Sequence, residues 1–153
     1  MSRRDQVRMN DEEIRAFLDQ SLTIIISSIG RDGVPHPIPM WYAVEDDGAI
    51  VMSTYTKSQK IRNLRRDPRV SLLVEDGTSY PELRGILMYG VAELVQDVEL
   101  VTDMLMTVSS RQGGTELGDL RPQMRQSAEK RTAIRVRPDK IVSWDHRKLG
   151  SVY

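Results

Sequence analysis

Residues 33–48 read GVPHPIPMWYAVEDDG, and this stretch decides the fold. Prolines stand at positions 35, 37 and 39, alternating with other residues in a run of extended character. A proline has no backbone N–H, so these alternate residues cannot donate to a strand on one of their two sides. The run therefore predicts an edge strand, or a strand with one side facing something other than a strand. Alternation also predicts that one of Trp41 and Tyr42 lies in the core.

Turn signals border this run on both sides. Upstream, residues 22–29 are rich in β-branched side chains and predict a strand, which the RDG triplet at 31–33 ends. Downstream, the DDG triplet at 46–48 predicts a hairpin turn into a strand over residues 49–53. Successive strands joined by tight turns favour an antiparallel sheet, and closing that sheet protects its edges. A small β-barrel with helices packed outside is the simplest such closure.

Helix and strand patterns continue towards both ends of the chain. Asn10, followed by three acids, predicts a helix N-terminus with Phe17 and Leu18 on its buried face. The glycines at positions 85 and 90 predict bulges or close approaches within a long strand. The other predicted elements are helices over residues 56–66, 98–108 and 121–130, strands over residues 70–74, 83–95 and 132–144, and a glycine-rich loop over residues 111–120.

The composition excludes several classes of protein. The sequence is long enough for one domain over residues 1–153, and its lack of cysteine and its two histidines argue against a disulfide, a thiolate or a metal site. The formal net charge is zero, whereas nucleic-acid binders usually carry a basic excess. No apolar run approaches the roughly 20 residues of a membrane span, and the start does not resemble a secretory signal. We therefore expect a cytoplasmic protein with no nucleic-acid or membrane partner.

Residues 53–68, STYTKSQKIRNLRRDP, combine hydroxyl and basic side chains. Between positions 53 and 69 six basic residues stand against one acid, Asp67. The helix N-terminus predicted here offers free backbone amides and the positive end of the helix dipole, which bind anions. Lys57, Lys60 and Asn63 are spaced three residues apart and are expected to share a face. The pattern predicts a phosphate site, and a solvated basic helix is the alternative that the residues leave open.

The proline run offers a second ligand-binding feature. Its exposed edge, together with the rings of Trp41 and Tyr42, could wall a planar ligand. Packing of one ring in the core is the alternative for these aromatics. His36 is a candidate proton donor, and a structural or solvent-exposed role is the alternative for this histidine.

Three segments together carry a family resemblance. The run GVPHPIPMWY, the stretch STYTKSQKIRNLRRDPRVSLLVED at 53–76 and LRGILMYGVAELVQD at 83–97 resemble the pyridoxamine-phosphate-oxidase-like split β-barrel superfamily, over about residues 10–100. The pattern Ser58-Gln59-Lys60, with the NL pair and the DPRV segment that follow, is similar to that superfamily's cofactor-phosphate helix and next strand. Flavin oxidases often have arginine where this chain has Gln59. The motif is most similar to actinobacterial deazaflavin-dependent reductases, which use coenzyme F420.

The resemblance implies a mainly β (α+β) fold, a split β-barrel of antiparallel strands with flanking helices, as in FMN-binding proteins. It implies a homodimer with F420, or alternatively FMN, at the interface, where Trp144 would reach the partner's cofactor or simply pack. It places Ser58 and Lys60 on the cofactor phosphate. The other implied cofactor contacts fall into three groups: Lys57, Asn63 and Arg66 near the phosphate or a polyglutamate tail; Pro39, Met40 and Trp41 along the ring; and Ser53 and Thr54 at the ribityl chain.

Three functions are compatible with this resemblance. The first is F420H2-dependent hydride transfer to a small conjugated organic substrate, for which no catalytic side chain is assigned. The second is an FMN-binding oxidase or flavin reductase, which would leave Lys57, Arg62 and Arg65 without a ligand role. The third is a non-catalytic cofactor-binding or sequestering protein. The sequence does not exclude the third, because a bound cofactor carries the chemistry itself.

Overall fold

The computed structural model describes residues 2–113 and 120–150. Within these residues the helices are α1 (Arg3–Val7), α2 (Asp11–Gln20), α3 (Gln59–Arg66), α4 (Val98–Gly113) and α5 (Arg121–Ala128). The strands are β1 (Thr23–Ile29), β2 (Pro35–Trp41), β3 (Ala43–Val44), β4 (Ile50–Tyr55), β5 (Arg69–Asp76), β6 (Arg84–Val95) and β7 (Arg131–Asp145). Helix α1 has no counterpart among the predicted elements. None of the helices in these residues is long and apolar enough to cross a membrane.

The strands form one antiparallel sheet in the order β2-β1-β5-β6-β7-β4-β3. Its two edge strands, β2 and β3, follow each other in the chain with Tyr42 between them. One residue spans about 3.5 Å, so the two edges of the sheet have to meet and the sheet curls on itself. The result is the curled antiparallel sheet of a split β-barrel with flanking helices, which confirms the predicted fold class.

The proline-rich strand lies at the edge, as its sequence predicts. Pro35, Pro37 and Pro39 all pair with β1, opposite Ile29, Ser27 and Ile25. Among the described residues, β2 has no ladder partner on its other side. The missing backbone donors therefore disrupt no second ladder. At the end of this strand Trp41 is 58% exposed. The next residue, Tyr42, is fully buried and donates its hydroxyl to the Leu18 carbonyl oxygen at 2.6 Å.

Two apolar cores hold the fold together. The larger one fills the barrel interior and takes side chains from every long strand, with Phe17 and Leu18 of α2 and Ile61 and Leu64 of α3. The smaller core lies on the outer face of β4 and β7, where α4 and α5 cover it. Helix α2 starts with a reciprocal cap, in which Asn10 Oδ1 accepts from the Glu13 N–H at 2.8 Å and Glu13 accepts from the Asn10 N–H at 2.7 Å. This confirms the predicted N-terminus of that helix.

Helix α3 begins at Gln59, later than the predicted start at Thr56. The Thr56 N–H donates instead to the carbonyl oxygen just before β7, at 3.0 Å, and this bond holds Thr56 out of the helix. Lys57 therefore lies in the exposed turn before the helix. The prediction that it shares a helix face with Lys60 and Asn63 is wrong for this reason.

Helix α4 is longer than predicted and continues to Gly113. The loop predicted over residues 111–120 is therefore wrong for residues 111–113, and residues 114–119 lie outside the described part of the chain. Arg111 accounts for the added turn, because its guanidinium donates to four carbonyl oxygens at the end of α2 and at Tyr42. A tertiary contact of this kind leaves no signal in the local sequence.

Both glycines of β6 stand where the backbone needs them. A register shift against β7 lies between Tyr89 and Gly90, which confirms the predicted bulge. Gly85 lies directly opposite Trp144, and a Cβ at this position would overlap the tryptophan ring. The ring of Trp144 therefore packs over the backbone of Gly85, which confirms the predicted close approach.

Candidate functional site

A cavity of about 600 Å³ lies between the ends of β2 and β4 and the helices α4 and α5. Its volume is in the range of roughly 300–1,000 Å³ that small-molecule sites occupy. Five of the predicted cofactor-binding residues line it: Pro39, Met40, Trp41, Ser53 and Thr54. The structure therefore brings the proposed ring wall and the proposed ribityl contacts into one cavity. The helices add the apolar side chains of Leu105, Val108 and Met124.

Three buried side-chain polar atoms in the described residues have no hydrogen-bond partner: His36 Nδ1, Ser53 Oγ and Ser58 Oγ. An unsatisfied buried donor or acceptor costs about 1–3 kcal/mol, so folded proteins rarely leave one. All three atoms lie on β2, on β4 or at the start of α3, the elements that carry the predicted cofactor residues. Ser58 is the N-cap residue of α3, yet its hydroxyl makes no capping bond. This arrangement fits a ligand with several hydrogen-bonding groups, as a phosphate-bearing cofactor has.

Lys60 lies in the first turn of α3, where its Nζ donates to Thr54 Oγ1 at 3.1 Å. Burial lowers the pKa of the Lys60 amine from its ordinary value of 10.5. Within residues 2–113 and 120–150 no carboxylate forms an ion pair with this amine. A half-buried ammonium group without a counter-ion is suited to bind an anion. Thr54 thus links the cavity to the helix that the sequence assigns to the phosphate.

Asn63 is fully buried and is bonded within the protein. Its Nδ2 donates to Ser28 Oγ at 3.0 Å, and its Oδ1 accepts from Gln59 Nε2 at 2.9 Å and from Arg66 Nη2 at 3.4 Å. These bonds tie α3 to β1, so the visible role of Asn63 is to hold the helix in place. Ile29 adds to this anchor, since its carbonyl oxygen accepts from Arg66 Nη2 at 2.6 Å.

A second cavity, of about 520 Å³, lies between the β1–β2 turn and α3. His36, Gln59 and Asn63 line it, and Arg31 and Asp32 stand at its turn side. His36 thus shares this cavity with two residues of α3. Its Nδ1 is one of the three unpartnered buried atoms. Residues of α3 thus line the second cavity, whereas none of them lines the larger one.

Four of the predicted cofactor-binding residues line neither cavity: Lys57, Ser58, Lys60 and Arg66. Ser58 and Lys60 stand at the start of α3, and Lys60 is connected to the larger cavity only through its bond to Thr54. Lys57 and Arg66 are exposed. Trp144 packs against Gly85 at the other end of the long strands and lines neither cavity of the described structure.

Arg131 and Tyr55 also line the larger cavity, and neither was predicted from the sequence as a site residue. Arg131 and Tyr55 pair with each other across β4 and β7, and the Arg131 guanidinium lies 4.6 Å from the centre of the Tyr55 ring. Arginines alternate with apolar residues along the last strand, which is the signal that could have pointed to Arg131. That alternation marks the outer face of β7, but only the packing of α4 and α5 shows which arginine faces the cavity.

The larger cavity therefore combines an aromatic wall with the unpartnered Ser53 hydroxyl, and Thr54 connects it to the Lys60 cation, which has no counter-ion among the described residues. The unpartnered imidazole atom of His36 lies at the second cavity. Such a set binds a ligand that is flat at one end and anionic at the other. On a curled antiparallel sheet, these features define a split β-barrel protein of the flavin- and cofactor-binding class.

Comparison with known families agrees with this class. The chain belongs to the pyridoxamine 5'-phosphate oxidase family, whose sequence profile matches residues 10–145. A search of curated proteins finds no match.

Solved structures of similar proteins extend this comparison. A conserved hypothetical protein from Mycobacterium tuberculosis is 42% identical, with a TM-score of 0.91 over 100% of this chain and 95% of that one. An F420 reductase is 24% identical, with a TM-score of 0.64 over 83% of this chain and 94% of that one. An FAD-binding protein from Mesorhizobium loti is 19% identical, with a TM-score of 0.66 over 88% of this chain and 94% of that one. The latter two show a shared fold.

Proposed function

We propose that this protein is an F420-dependent oxidoreductase that acts on a small conjugated organic substrate as a homodimer. The observation that carries the proposal is the set of three unpartnered buried atoms on β2, on β4 and at the start of α3, namely His36 Nδ1, Ser53 Oγ and Ser58 Oγ. They fit a cofactor with a polar chain and a phosphate. The F420 reductase with the same fold supports the choice of a deazaflavin.

Each group of residues has a distinct task in this proposal. The Ser58 hydroxyl, the Lys60 ammonium and the free amides at the start of α3 hold the phosphate. Ser53 and Thr54 bind the ribityl chain, and Pro39, Met40 and Trp41 form one wall for the ring. When bound, the reduced deazaflavin supplies a hydride to the substrate. The protein orients both molecules and excludes water from the cavity with the apolar side chains of α4 and α5.

The surface beyond the phosphate site favours F420 over a simple flavin. Lys57, Arg62 and Arg65 are exposed and form no ion pair with any of the described residues. A carboxylate-rich tail, such as the polyglutamate of F420, would interact with this basic surface, and FMN has no such tail. The FAD-binding protein of similar fold favours a second candidate, a flavin-dependent enzyme of the same architecture.

A homodimer is supported by an apolar row on the outer face of the sheet. Pro39, Ile25, Leu73, Leu87 and Val142 stand side by side across five strands, in register. Each side chain of this row is exposed or half buried, whereas the neighbours of Ile25, Leu73 and Leu87 along their strands are buried in the barrel core. A row of this kind suits an interface between two copies of the chain. Because Pro39 also lines the larger cavity, a second copy on this face would border the cofactor site.

Titration of the purified protein with F420 and, separately, with FMN tests the proposal through cofactor fluorescence. We expect F420 to bind with a micromolar or lower Kd and FMN to bind much more weakly. A preference for FMN would support the flavin-dependent candidate instead. Binding of neither cofactor would contradict the proposed site.

The variant Lys60→Ala tests the phosphate assignment within the same assay. Loss of a charge-assisted contact should weaken F420 binding by about 1–3 kcal/mol. Lys148→Ala is the control, because it also removes one lysine but its Nζ bonds to Glu13 Oε2 and the Arg8 carbonyl oxygen, outside the cavity lining. An unchanged F420 Kd in Lys60→Ala would remove Lys60 from the site.

A further inference from the structure

Arg131 faces the larger cavity and has no carboxylate partner among the described residues. Its Nε donates to Ser127 Oγ at 3.1 Å, and its Nη1 lies 3.5 Å from the Ser53 carbonyl oxygen. The Tyr55 ring supports the guanidinium from one side. A guanidinium carries five N–H donors, so most of the Arg131 donors are available to a ligand.

The other half-buried arginines of residues 2–113 and 120–150 each have either a carboxylate partner or a full set of carbonyl acceptors. Arg84 and Arg135 each form an ion pair, with Asp76 at 2.7 Å and with Glu45 at 2.9 Å. Arg121 pairs with Asp103 at 2.7 Å, and Arg111 holds four carbonyl oxygens. Partly buried charges usually require such partners. Arg131 is therefore the half-buried arginine of these residues that has neither a carboxylate partner nor a full set of acceptors, and it lines the larger cavity.

Arg131 and Lys60 lie on opposite faces of β4 and are therefore expected to bind different ligand groups. Successive side chains of a strand point to opposite faces, so Tyr55 and its partner Arg131 lie on the other face of β4 from Thr54. Lys60 donates to Thr54 and thus belongs to the inner face. One phosphate group assigned to Lys60 leaves the charge of Arg131 unused.

The surroundings of Arg131 indicate the kind of anion. Leu105, Val108 and Met124 give the cavity an apolar wall, and the Tyr55 ring next to the guanidinium is 60% exposed. A guanidinium binds a carboxylate through two parallel hydrogen bonds. We propose that Arg131 binds the carboxylate of the substrate, and that the substrate is a planar conjugated acid. This inference rests on the proposed function and specifies the substrate class of that same site.

The test measures binding, and does not need turnover. The probes are 2-naphthoate, a planar acid that is ionised at pH 7, and its neutral amide, 2-naphthamide, each titrated calorimetrically into the purified protein. We expect the wild type to bind 2-naphthoate at least tenfold more tightly than 2-naphthamide. In Arg131→Gln this preference should disappear. Arg131→Lys keeps the charge without the planar fork and should retain a reduced preference.

Arg137→Gln is the matched control, because Arg137 lies on the same strand and outer face but pairs with Asp47 at 2.9 Å. It should keep the full preference for the acid. No preference in the wild type, or an unchanged preference in Arg131→Gln with a wild-type Tm, would overturn the inference. So would a loss of F420 affinity in Arg131→Gln as large as that in Lys60→Ala, which would make Arg131 a cofactor residue. Failure of F420 to bind the wild type would contradict the proposed function and leave the naphthoate result intact.

Discussion

The guanidinium of Arg111 lies over the ring of Tyr42, 4.7 Å from its centre, and Nη1 donates to the Tyr42 carbonyl oxygen at 2.6 Å. Nη2 donates to the carbonyl oxygens of Leu18, Asp19 and Ser21 at 2.8–3.0 Å. Tyr42 is the residue that joins the two edges of the sheet. Arg111 therefore fixes the closure of the barrel, the end of α2 and the last turn of α4 at a single point.

Replacing Arg111 by methionine should destabilise the fold. The substitution leaves several carbonyl oxygens at a partly buried junction without a donor, and we expect the free energy of unfolding to fall by about 2–4 kcal/mol. Urea denaturation followed by circular dichroism measures the change. Arg15→Met is the control, because the Arg15 side chain makes an exposed ion pair with Asp19 and should change stability by less than about 1 kcal/mol. Equal effects of the two variants would contradict a structural role for Arg111.

Ser58→Ala should separate ligand binding from stability. The Ser58 hydroxyl is buried, unpartnered and makes no capping bond, so its removal should leave the Tm of the free protein unchanged or slightly higher. F420 binding should weaken by about 1 kcal/mol, the value of one hydrogen bond. Asn10→Ala should show the opposite result, a loss of stability. The Asn10 side chain caps α2 by accepting a hydrogen bond from the Glu13 N–H, and losing this bond should cost about 1 kcal/mol of stability. A lower Tm with unchanged F420 affinity in Ser58→Ala would identify Ser58 as a structural residue.

The affinity for F420 should fall as the pH rises through the pKa of Lys60. Burial depresses that pKa below 10.5, and deprotonation removes the charge that binds the phosphate. The loss should therefore begin at a lower pH than for a solvent-exposed lysine. Fluorescence titrations between pH 7 and pH 10 follow the Kd. In Lys60→Arg the guanidinium keeps its charge over this interval, so a similar pH profile in the variant would show that another group is responsible.

Leu87→Lys should dissociate the proposed homodimer. Leu87 lies between Leu73 and Val142 in the apolar row, so a lysine there would place a charge in the interface. Light scattering after size-exclusion chromatography should report a dimer for the wild type and a monomer for the variant. Leu100→Lys is the control, since Leu100 is exposed on α4 outside the row and should leave the mass unchanged. A wild-type monomer at micromolar concentration, or a dimeric Leu87→Lys, would contradict an interface on this face.

The sequence indicated which segments form the site more accurately than it indicated which distant residues their side chains contact. The segment that carries α3 could be found from its hydroxyl and basic residues, because local propensity and charge act over a few positions, but its first residue is Gln59 and not the predicted Thr56. The role of Asn63 could not, since its partner Ser28 is 35 positions away and only folding brings the two together. Arg131 was missed for the same reason. Its neighbours Ser53 and Tyr55 belong to a strand far away in the sequence, and the cavity exists only once α4 and α5 cover that strand.

By itself, the sequence determined the edge strand, the antiparallel order of turns and strands, and the burial of one of two adjacent aromatic residues. These features follow from proline's missing donor and from the two-residue period of a strand, which act locally. Only the tertiary structure decided that Trp41 faces out and Tyr42 faces in, that Arg111 extends α4, and that Arg131 faces the larger cavity without an acid. Each of these features depends on contacts between segments that are distant in the sequence, and the closure of the sheet through Tyr42 determines those contacts.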